Sequence, residues 1–158
     1  MISRREWLTI TLGSAAAALV SRADSAFALI SAKPARVVVY KSPTCGCCRL
    51  WVDHARPILT GYELTTVDMD DLSEIKSQAG VPSRLQSCHT VITGPYVFEG
   101  HVPADLIKQF LAEKPKALGL AVPGMPLGSP GMDGGGGKQP YEVLLFDKAG
   151  NTRVYARR

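Results

Sequence analysis

The chain has 158 residues, a formal net charge of +4 and 46% hydrophobic residues, enough for one domain with a real core and too little for two comfortable ones. Lys and Arg are scattered apart from the terminal Arg157-Arg158, and no basic stripe with interleaved aromatics appears, so nucleic-acid binding has little support. The mixed, mildly basic surface says nothing further about partners.

The first residues have the layout of an export signal. Ser3-Arg4-Arg5-Glu6-Trp7-Leu8 is a charged start, Trp7 to Val20 is free of charge, and Ala26-Phe27-Ala28 is an A-x-A cleavage site. The uncharged run of about fourteen residues is shorter than the ~20 that span a bilayer as a helix. Paired arginines followed by x, a large apolar residue and Leu resemble a twin-arginine signal; a general secretory signal is the rival, and an uncleaved anchor is the plainer alternative. Residues 1–28 are therefore expected to be removed. Residues 29–158 remain as a single periplasmic domain with a net charge of +3 and no stable membrane insertion.

Ala35-Arg-Val-Val-Val-Tyr40 reads as a buried strand. Ser42-Pro43-Thr44 follows as a helix-start signal with Thr44 as N-cap. Cys47, Trp51, His54 or Ala55, and Ile58 fall on one helical stripe, which Pro57 and Gly61 bring to an end. Tyr62 to Val67 reads as a second strand, and Asp70 to Ala79 as a short helix stopped by Gly80 and Pro82. His89 to Thr93 and Tyr96 to Glu99 read as strands joined at Gly94-Pro95. Pro103 opens a helix that turns Leu106, Ile107, Phe110 and Leu111 inward. A chain that begins βαβ and finishes ββα, with cysteines at the turn after its first strand, resembles the thioredoxin-like fold: an α/β domain with a central sheet and flanking helices. Leu118 to Lys138 is crowded with Gly and Pro and is expected to be a loop that packs no core. Tyr141 to Phe146 and Thr152 to Tyr155 read as a C-terminal β-hairpin that pairs with a sheet edge, since a lone hairpin is barely stable.

Cys45-Gly46-Cys47-Cys48 is the most informative tetrapeptide, a C-x-x-C with a third thiol inserted. In an oxidising compartment the default for paired cysteines is a disulfide framework. Three within four residues fit that default badly, because bridging Cys45 to Cys47 or Cys47 to Cys48 closes a very small ring. Gly46 suits the tight backbone that converging sulfurs need. A helix N-terminus favours thiolates, but neighbouring thiolates repel each other unless a cation lies between them, and a soft metal ion supplies that charge. Cys88, just before an apolar strand, is placed to complete a four-sulfur site; a small buried hydrophobe is the plainer reading.

Met125 and Met132 sit in Pro123-Gly-Met125 and Pro130-Gly-Met132, between residues that seldom line a core. Thioethers are soft donors that suit copper(I) far better than zinc, so both methionines are candidate ligands. His101, in the loop Gly100-His-Val-Pro103, is a third kind of candidate donor. His54 lies ~10 Å along the helix from Cys47, too far for the same ion. His89 adjoins Cys88 in a strand, where neighbours point to opposite faces, and is expected to look away.

Tyr40-Lys-Ser-Pro-Thr-Cys-Gly-Cys-Cys48, Gly80-Val-Pro82, Ser87-Cys-His-Thr90, Glu99-Gly-His-Val-Pro-Ala104 and Gly119-Leu-Ala-Val-Pro-Gly-Met-Pro126 together resemble the CopG-type periplasmic copper-resistance proteins, which are unrelated to the ribbon-helix-helix repressors of that name. The resemblance runs from about Arg36 to Met132. It implies a thioredoxin-like domain that binds a multinuclear copper cluster through its C-x-C-C cysteines and takes part in copper redox chemistry, with copper ions, and periplasmic copper-efflux or copper-chaperone proteins, as partners. The site residues expected from the whole sequence are Cys45, Cys47, Cys48, Cys88, Met125, Met132 and His101, and no catalytic residue is assigned. A thiol-disulfide oxidoreductase using Cys45 and Cys48 is the runner-up, and a structural or zinc-storing module the third reading.

Overall fold

The computed structural model describes residues 34–133 and 137–158; the expected signal segment lies outside them. β1 (Ala35–Lys41) alternates, with Val37 and Val39 fully buried, and α1 (Gly46–Ala55) returns the chain to β2 (Tyr62–Asp68), parallel to β1 in the register Ala35↔Tyr62 through Lys41↔Asp68. α2 (Ser73–Gln78) and a short 3-10 turn at Ser83–Leu85 lead to β3 (His89–Thr93) and β4 (Tyr96–Gly100), and then to α3 (Ala104–Glu113). β5 (Gly119–Val122), β6 (Glu142–Phe146) and β7 (Thr152–Arg157) complete the described elements. The strands form one mixed sheet in the order β2-β1-β3-β4-β5-β6-β7. β3 is antiparallel to both β1 and β4, and β5 is parallel to β4. The chain is thus an α/β structure with a central sheet and flanking helices. No helix among the described residues is long and apolar enough to cross a membrane.

Both faces of the sheet are covered. On one face α1 (Trp51, Val52, Ala55) and α3 (Leu106, Ile107, Phe110) pack against Val37, Val39, Val91, Phe98, Leu120 and Val122. The ring of Phe110 meets Phe98 and Tyr96 edge to face at 5.4 and 5.1 Å, an arrangement that adds to simple burial. On the other face Val81 and Leu85 pack on Val97, Ala121 and Phe146. The α1 stripe differs by one residue from the expected one: Cys48, not Cys47, begins the buried set Cys48, Trp51, Val52 and Ala55. Cys47 is left half-exposed beside the core.

Three local expectations are corrected. The N-cap of α1 is Cys45 and not Thr44, because the Cys45 sulfur accepts the Cys48 N–H and occupies the capping role. Gly46 starts α1 with open space where a Cβ would stand, so the tight turn expected of it is not what the fold requires there. The largest correction concerns residues 118–138. Leu118, Leu120, Ala121 and Val122 are buried, and β5 is an interior strand between β4 and β6. Only four residues long and bounded by Gly119 and Pro123, it offers too little periodicity to register as a strand. The C-terminal hairpin then pairs with β5 through Gly119↔Phe146, Leu120↔Leu145 and Ala121↔Leu144.

Gly119 shows how close that packing is: a Cβ there would overlap the backbone carbonyl of Val97 on β4. Gly119→Ala must therefore force β5 away from β4. It should cost about 3 kcal/mol and lower the thermal midpoint by roughly 10 °C; circular dichroism melting checks this, with an unchanged midpoint as the contrary result.

Candidate metal centre

The sheet register brings the chemistry-bearing residues together. β1 and β3 pair with Lys41 opposite His89, so Cys88, one residue before β3, lies beside the turn that carries Cys45. β3 and β4 pair with Thr90 opposite Glu99, so His101, one residue beyond β4, is brought alongside Cys88. β4 and β5 pair with Gly100 opposite Val122, so the chain after Val122 leaves the sheet at the same end. The carboxyl ends of β1, β4 and β5 and the amino end of β3 thus meet in one place, where α1 presents its N-terminus.

The sulfurs of Cys45, Cys47, Cys48 and Cys88 all lie within 4.8 Å of one another. Cys45 and Cys48 are joined as a disulfide, while Cys47 and Cys88 are free thiols. The Cys47 sulfur is 3.5 Å from that of Cys45. Cys48 is fully buried and anchors the group to the core. The paired cysteines are the two whose spacing of three suits a bridge, and the very small rings judged unfavourable from sequence are absent from the described residues.

A second group shares Cys88. The donor atoms of Cys88, His89 and His101 also lie within 4.8 Å of one another. His101 is fully buried, with Nε2 2.8 Å from Cys88 Sγ and Nδ1 2.7 Å from the Pro130 carbonyl oxygen. A carbonyl can only accept, so Nδ1 carries the proton and donates it, and Nε2 turns a lone pair toward the sulfur. Such an outer hydrogen bond is how ligand imidazoles are commonly oriented. Burial holds the His101 pKa below its ordinary value, which keeps that lone pair free at neutral pH. Cys88 is pushed the other way, up to about 12, chiefly by burial and then by the neighbouring Cys47. The neutral pair is therefore a thiol donating S–H to an imidazole.

His89 corrects the alternation argument. Cys88 stands outside β3, whose first residue is His89, so the opposite-faces rule does not separate them. His89 Nδ1 is 3.5 Å from Cys88 Sγ, and the ring packs 4.7 Å from Trp51 and 5.0 Å from His101, centroid to centroid. Burial, above all, pushes its pKa well below the usual range. Its Nε2 is buried without a hydrogen-bond partner. Trp51 is held in turn by its own N–H, which donates to the Val102 carbonyl at 2.8 Å. His54 sits apart from these groups, half-buried, accepting the Ala104 N–H at 3.5 Å at the start of α3.

The methionine-bearing segment is fixed by its own backbone. Ser129 is fully buried and donates through its hydroxyl to the Pro126 carbonyl at 2.7 Å, and Met132 N–H donates to the Ser129 carbonyl at 2.8 Å. Gly131 lies directly on α1, where a Cβ would come 2.7 Å from the Cys47 carbonyl oxygen and 2.8 Å from the Trp51 nitrogen. This contact explains the glycine at that position and accounts for the docking of the segment through protein contacts. Met132 follows Gly131 and is half-buried, whereas Met125 is 43% exposed. The Pro130 carbonyl, His89 and Gly131 are features that sequence reasoning missed. Only the adjacency of His89 to Cys88 offered a signal.

Two solved structures are similar to this chain, "Copper resistance protein copG- Form 2" and "Copper resistance protein copG- Form 1". Each is 38% identical with a TM-score of 0.72 and covers 80% of this chain; the match takes in 99% and 98% of their own lengths respectively. A family model described as "Protein of unknown function, DUF411" matches residues 85–132, the stretch from Leu85 to Met132. No curated protein matches the chain.

Cys88 keeps its proton in the metal-free protein at neutral pH, so any thiophilic ion that takes its sulfur must displace that proton. The sign follows from a raised pKa. The contribution to folding is complete below the unfolded value of 9.0, and is lost as pH climbs from there toward about 12. Metal-free stability should therefore fall across that alkaline window, and fall less in Cys88→Ser. Calorimetry of copper(I) binding in buffers of different ionisation enthalpy should show proton release near pH 7 that drops by about one proton in Cys88→Ser.

Proposed function

Since this chain belongs to the CopG family of copper resistance proteins, we propose that it binds copper(I), more than one ion at a time, as a thiolate cluster in copper resistance and homeostasis. The observation that carries this reading is the convergence of four cysteine sulfurs within 4.8 Å at the N-terminus of α1. The fit to copper(I) is one of donor chemistry: an all-sulfur set is soft, and the unpaired N–H groups of a helix start favour thiolates. With Cys45 and Cys48 reduced, four thiolates offer more lone pairs than one ion can use, and bridging sulfurs accommodate several ions. His101 adds a neutral nitrogen donor beside Cys88. Met132, next to the segment docked on α1, is the better placed thioether, and Met125 is a peripheral donor.

In this reading the domain is thioredoxin-like. Support comes from the strand order β2-β1-β3-β4, with parallel β1 and β2, antiparallel β3, and α1 and α3 on one face. Residues 1–28 act as an export signal and residues 29–158 as one periplasmic domain; the motif Arg4-Arg5 and the Ala26-Phe27-Ala28 site support it. Periplasmic copper-efflux or copper-chaperone proteins are the natural donors and acceptors of its copper.

One observation favours a second reading. The Cys45–Cys48 disulfide is the oxidised half of a two-electron couple, so the site also suits thiol-disulfide or copper redox chemistry. Two copper(II) ions taking one electron each from the two thiols give two copper(I) ions, the disulfide and two protons.

Reduced mature protein should bind more than one equivalent of copper(I) in anaerobic titration against a chelator. A single zinc ion bound with no preference for copper would overturn the reading. Cys47→Ser separates the two functions. It leaves the Cys45/Cys48 couple intact, so a dithiol oxidoreductase keeps its disulfide exchange, whereas a cluster protein loses copper stoichiometry and affinity. For the thioethers, Met132→Leu conserves size and apolarity and should weaken copper(I) affinity more than Met125→Leu does, with little change in melting temperature. Unchanged copper(I) affinity in Met132→Leu would remove Met132 from the ligand set.

A further inference from the structure

Beneath the site, on the opposite face of the sheet from α1, lies a buried ion pair. Lys76 of α2 and Glu99 of β4 approach to 2.6 Å, with side-chain exposures of 8% and 0%. Glu99 Oε1 also accepts the Ser87 N–H at 2.7 Å, and Oε2 accepts the Thr90 hydroxyl at 2.7 Å. Lys76 Nζ donates a further bond to Thr90 Oγ1 at 3.0 Å. One carboxylate thus grips the residue before Cys88 and the residue two beyond it, and it stands two residues before His101 on its own strand.

We propose that Glu99, neutralised by Lys76, is a positioning residue that fixes the entry into β3 from Ser87 to Thr90 and thereby sets the Cys88 sulfur against His101 and the C-x-C-C sulfurs. The physical case rests on what such a pair does and does not contribute. Removing two charges from water is costly, and well-packed apolar residues of similar volume often serve stability as well or better. Stability alone is thus a poor reason for this arrangement. Its distinctive property is direction: a carboxylate with both oxygens engaged, by the Ser87 N–H and the Lys76 ammonium at Oε1 and by the Thr90 hydroxyl at Oε2, restricts the placement of the Ser87 backbone. Cys88 has no such constraint of its own. The hydrogen-bond partners of its sulfur are the two imidazoles, His101 at 2.8 Å and His89 at 3.5 Å, and it precedes the first ladder residue of β3. The carboxylate therefore acts on the site through the backbone, as outer hydrogen bonds act on ligand side chains elsewhere.

The inference rests on Cys88 being a copper ligand, and the test separates the two. Lys76→Met/Glu99→Leu removes both charges together, which leaves no unpaired buried ion and should preserve folding. Lys76→Met/Glu99→Gln also removes both charges but keeps an acceptor oxygen for the Ser87 N–H. In metal-free protein, alkylation of Cys88 by iodoacetamide, followed by mass spectrometry, should be several-fold faster in the Leu variant than in the Gln variant or the wild type. Copper(I) affinity should fall roughly 10–100-fold in the Leu variant, and recover most of that loss in the Gln variant. A folded Leu variant with wild-type alkylation rate overturns the positioning role, whatever copper does. Altered alkylation with unaltered copper affinity retains the positioning role and removes Cys88 from the ligand set. Should the Leu variant fail to fold, Glu99→Asp keeps the ion pair on a shorter arm; wild-type alkylation and copper affinity in that variant overturn the proposal equally.

Discussion

Everything at this site depends on the pairing register of four strands. Lys41 opposite His89, Thr90 opposite Glu99 and Gly100 opposite Val122 are backbone facts. Together they place Cys88, His101 and the start of the methionine segment at the sheet end where α1 begins. A slip of one residue in any pairing would turn every side chain of that strand to the other face. The slip is prevented by the same residues that make the core: Val37 and Val39, Val91, Phe98, and Leu120 with Val122 all face α1 and α3. The donors are thus held by the stiffest part of the fold, although none of the four sulfurs lies within a strand. Ligands that project from element ends keep the freedom to bridge ions while their backbones stay fixed.

Protonation gives the site its second character. Burial raises the Cys88 pKa and lowers those of His89 and His101, so each of the three is driven toward its neutral form. A pocket of neutral, soft or borderline donors holds no standing charge to repel or to hydrate. Negative charge arises there only when a cation arrives and the thiol proton leaves. This couples occupancy to pH more tightly than a set of exposed carboxylates would, since an exposed acid is already ionised at neutral pH. It also disfavours hard cations, which gain little from sulfur and neutral imidazole and much from water.

Much of this was legible in the sequence. The strands β1 to β4 and the helix α3 announce themselves by β-branched runs, alternation and 3.6-residue spacing, and the C-x-C-C turn lies where the first strand hands over to a helix. β5 was not legible. The four residues Gly119–Val122, stopped by Pro123, carry no usable period, and their burial follows from neighbours on both sides, which a one-dimensional pattern does not contain. The same cause hid Gly131, since its meaning lies in the Cys47 carbonyl 2.7 Å from where its Cβ would be. His89 was misplaced for a different reason. The alternation rule is sound within a strand, but Cys88 is the residue before the strand begins, and element boundaries are what sequence reads least well. The Lys76–Glu99 pair was invisible because two ordinary surface residues, twenty-three positions apart, give no sign that the fold buries them.

The disulfide and the proposed cluster would be two answers to the same electrostatic problem. Cys45 caps α1 and Cys48 sits in its first turn, so both sulfurs feel the unpaired N–H groups and the positive end of the helix. That field lowers the cost of thiolate, and a thiolate beside its partner has two outlets: loss of electrons to form the bridge, or capture by a soft cation. Cys47 and Cys88, outside the bridge, remain as thiols, so in the proposed reading they stay available to a metal ion while the other two change state. The third thiol inserted into the C-x-x-C thereby separates this site from a plain dithiol. An ordinary C-x-x-C that oxidises has no sulfur left to offer a metal, whereas here oxidation of one pair removes two of the four sulfurs and leaves two in place. If these sulfurs bind copper, the number available to it is set by the redox state of Cys45 and Cys48.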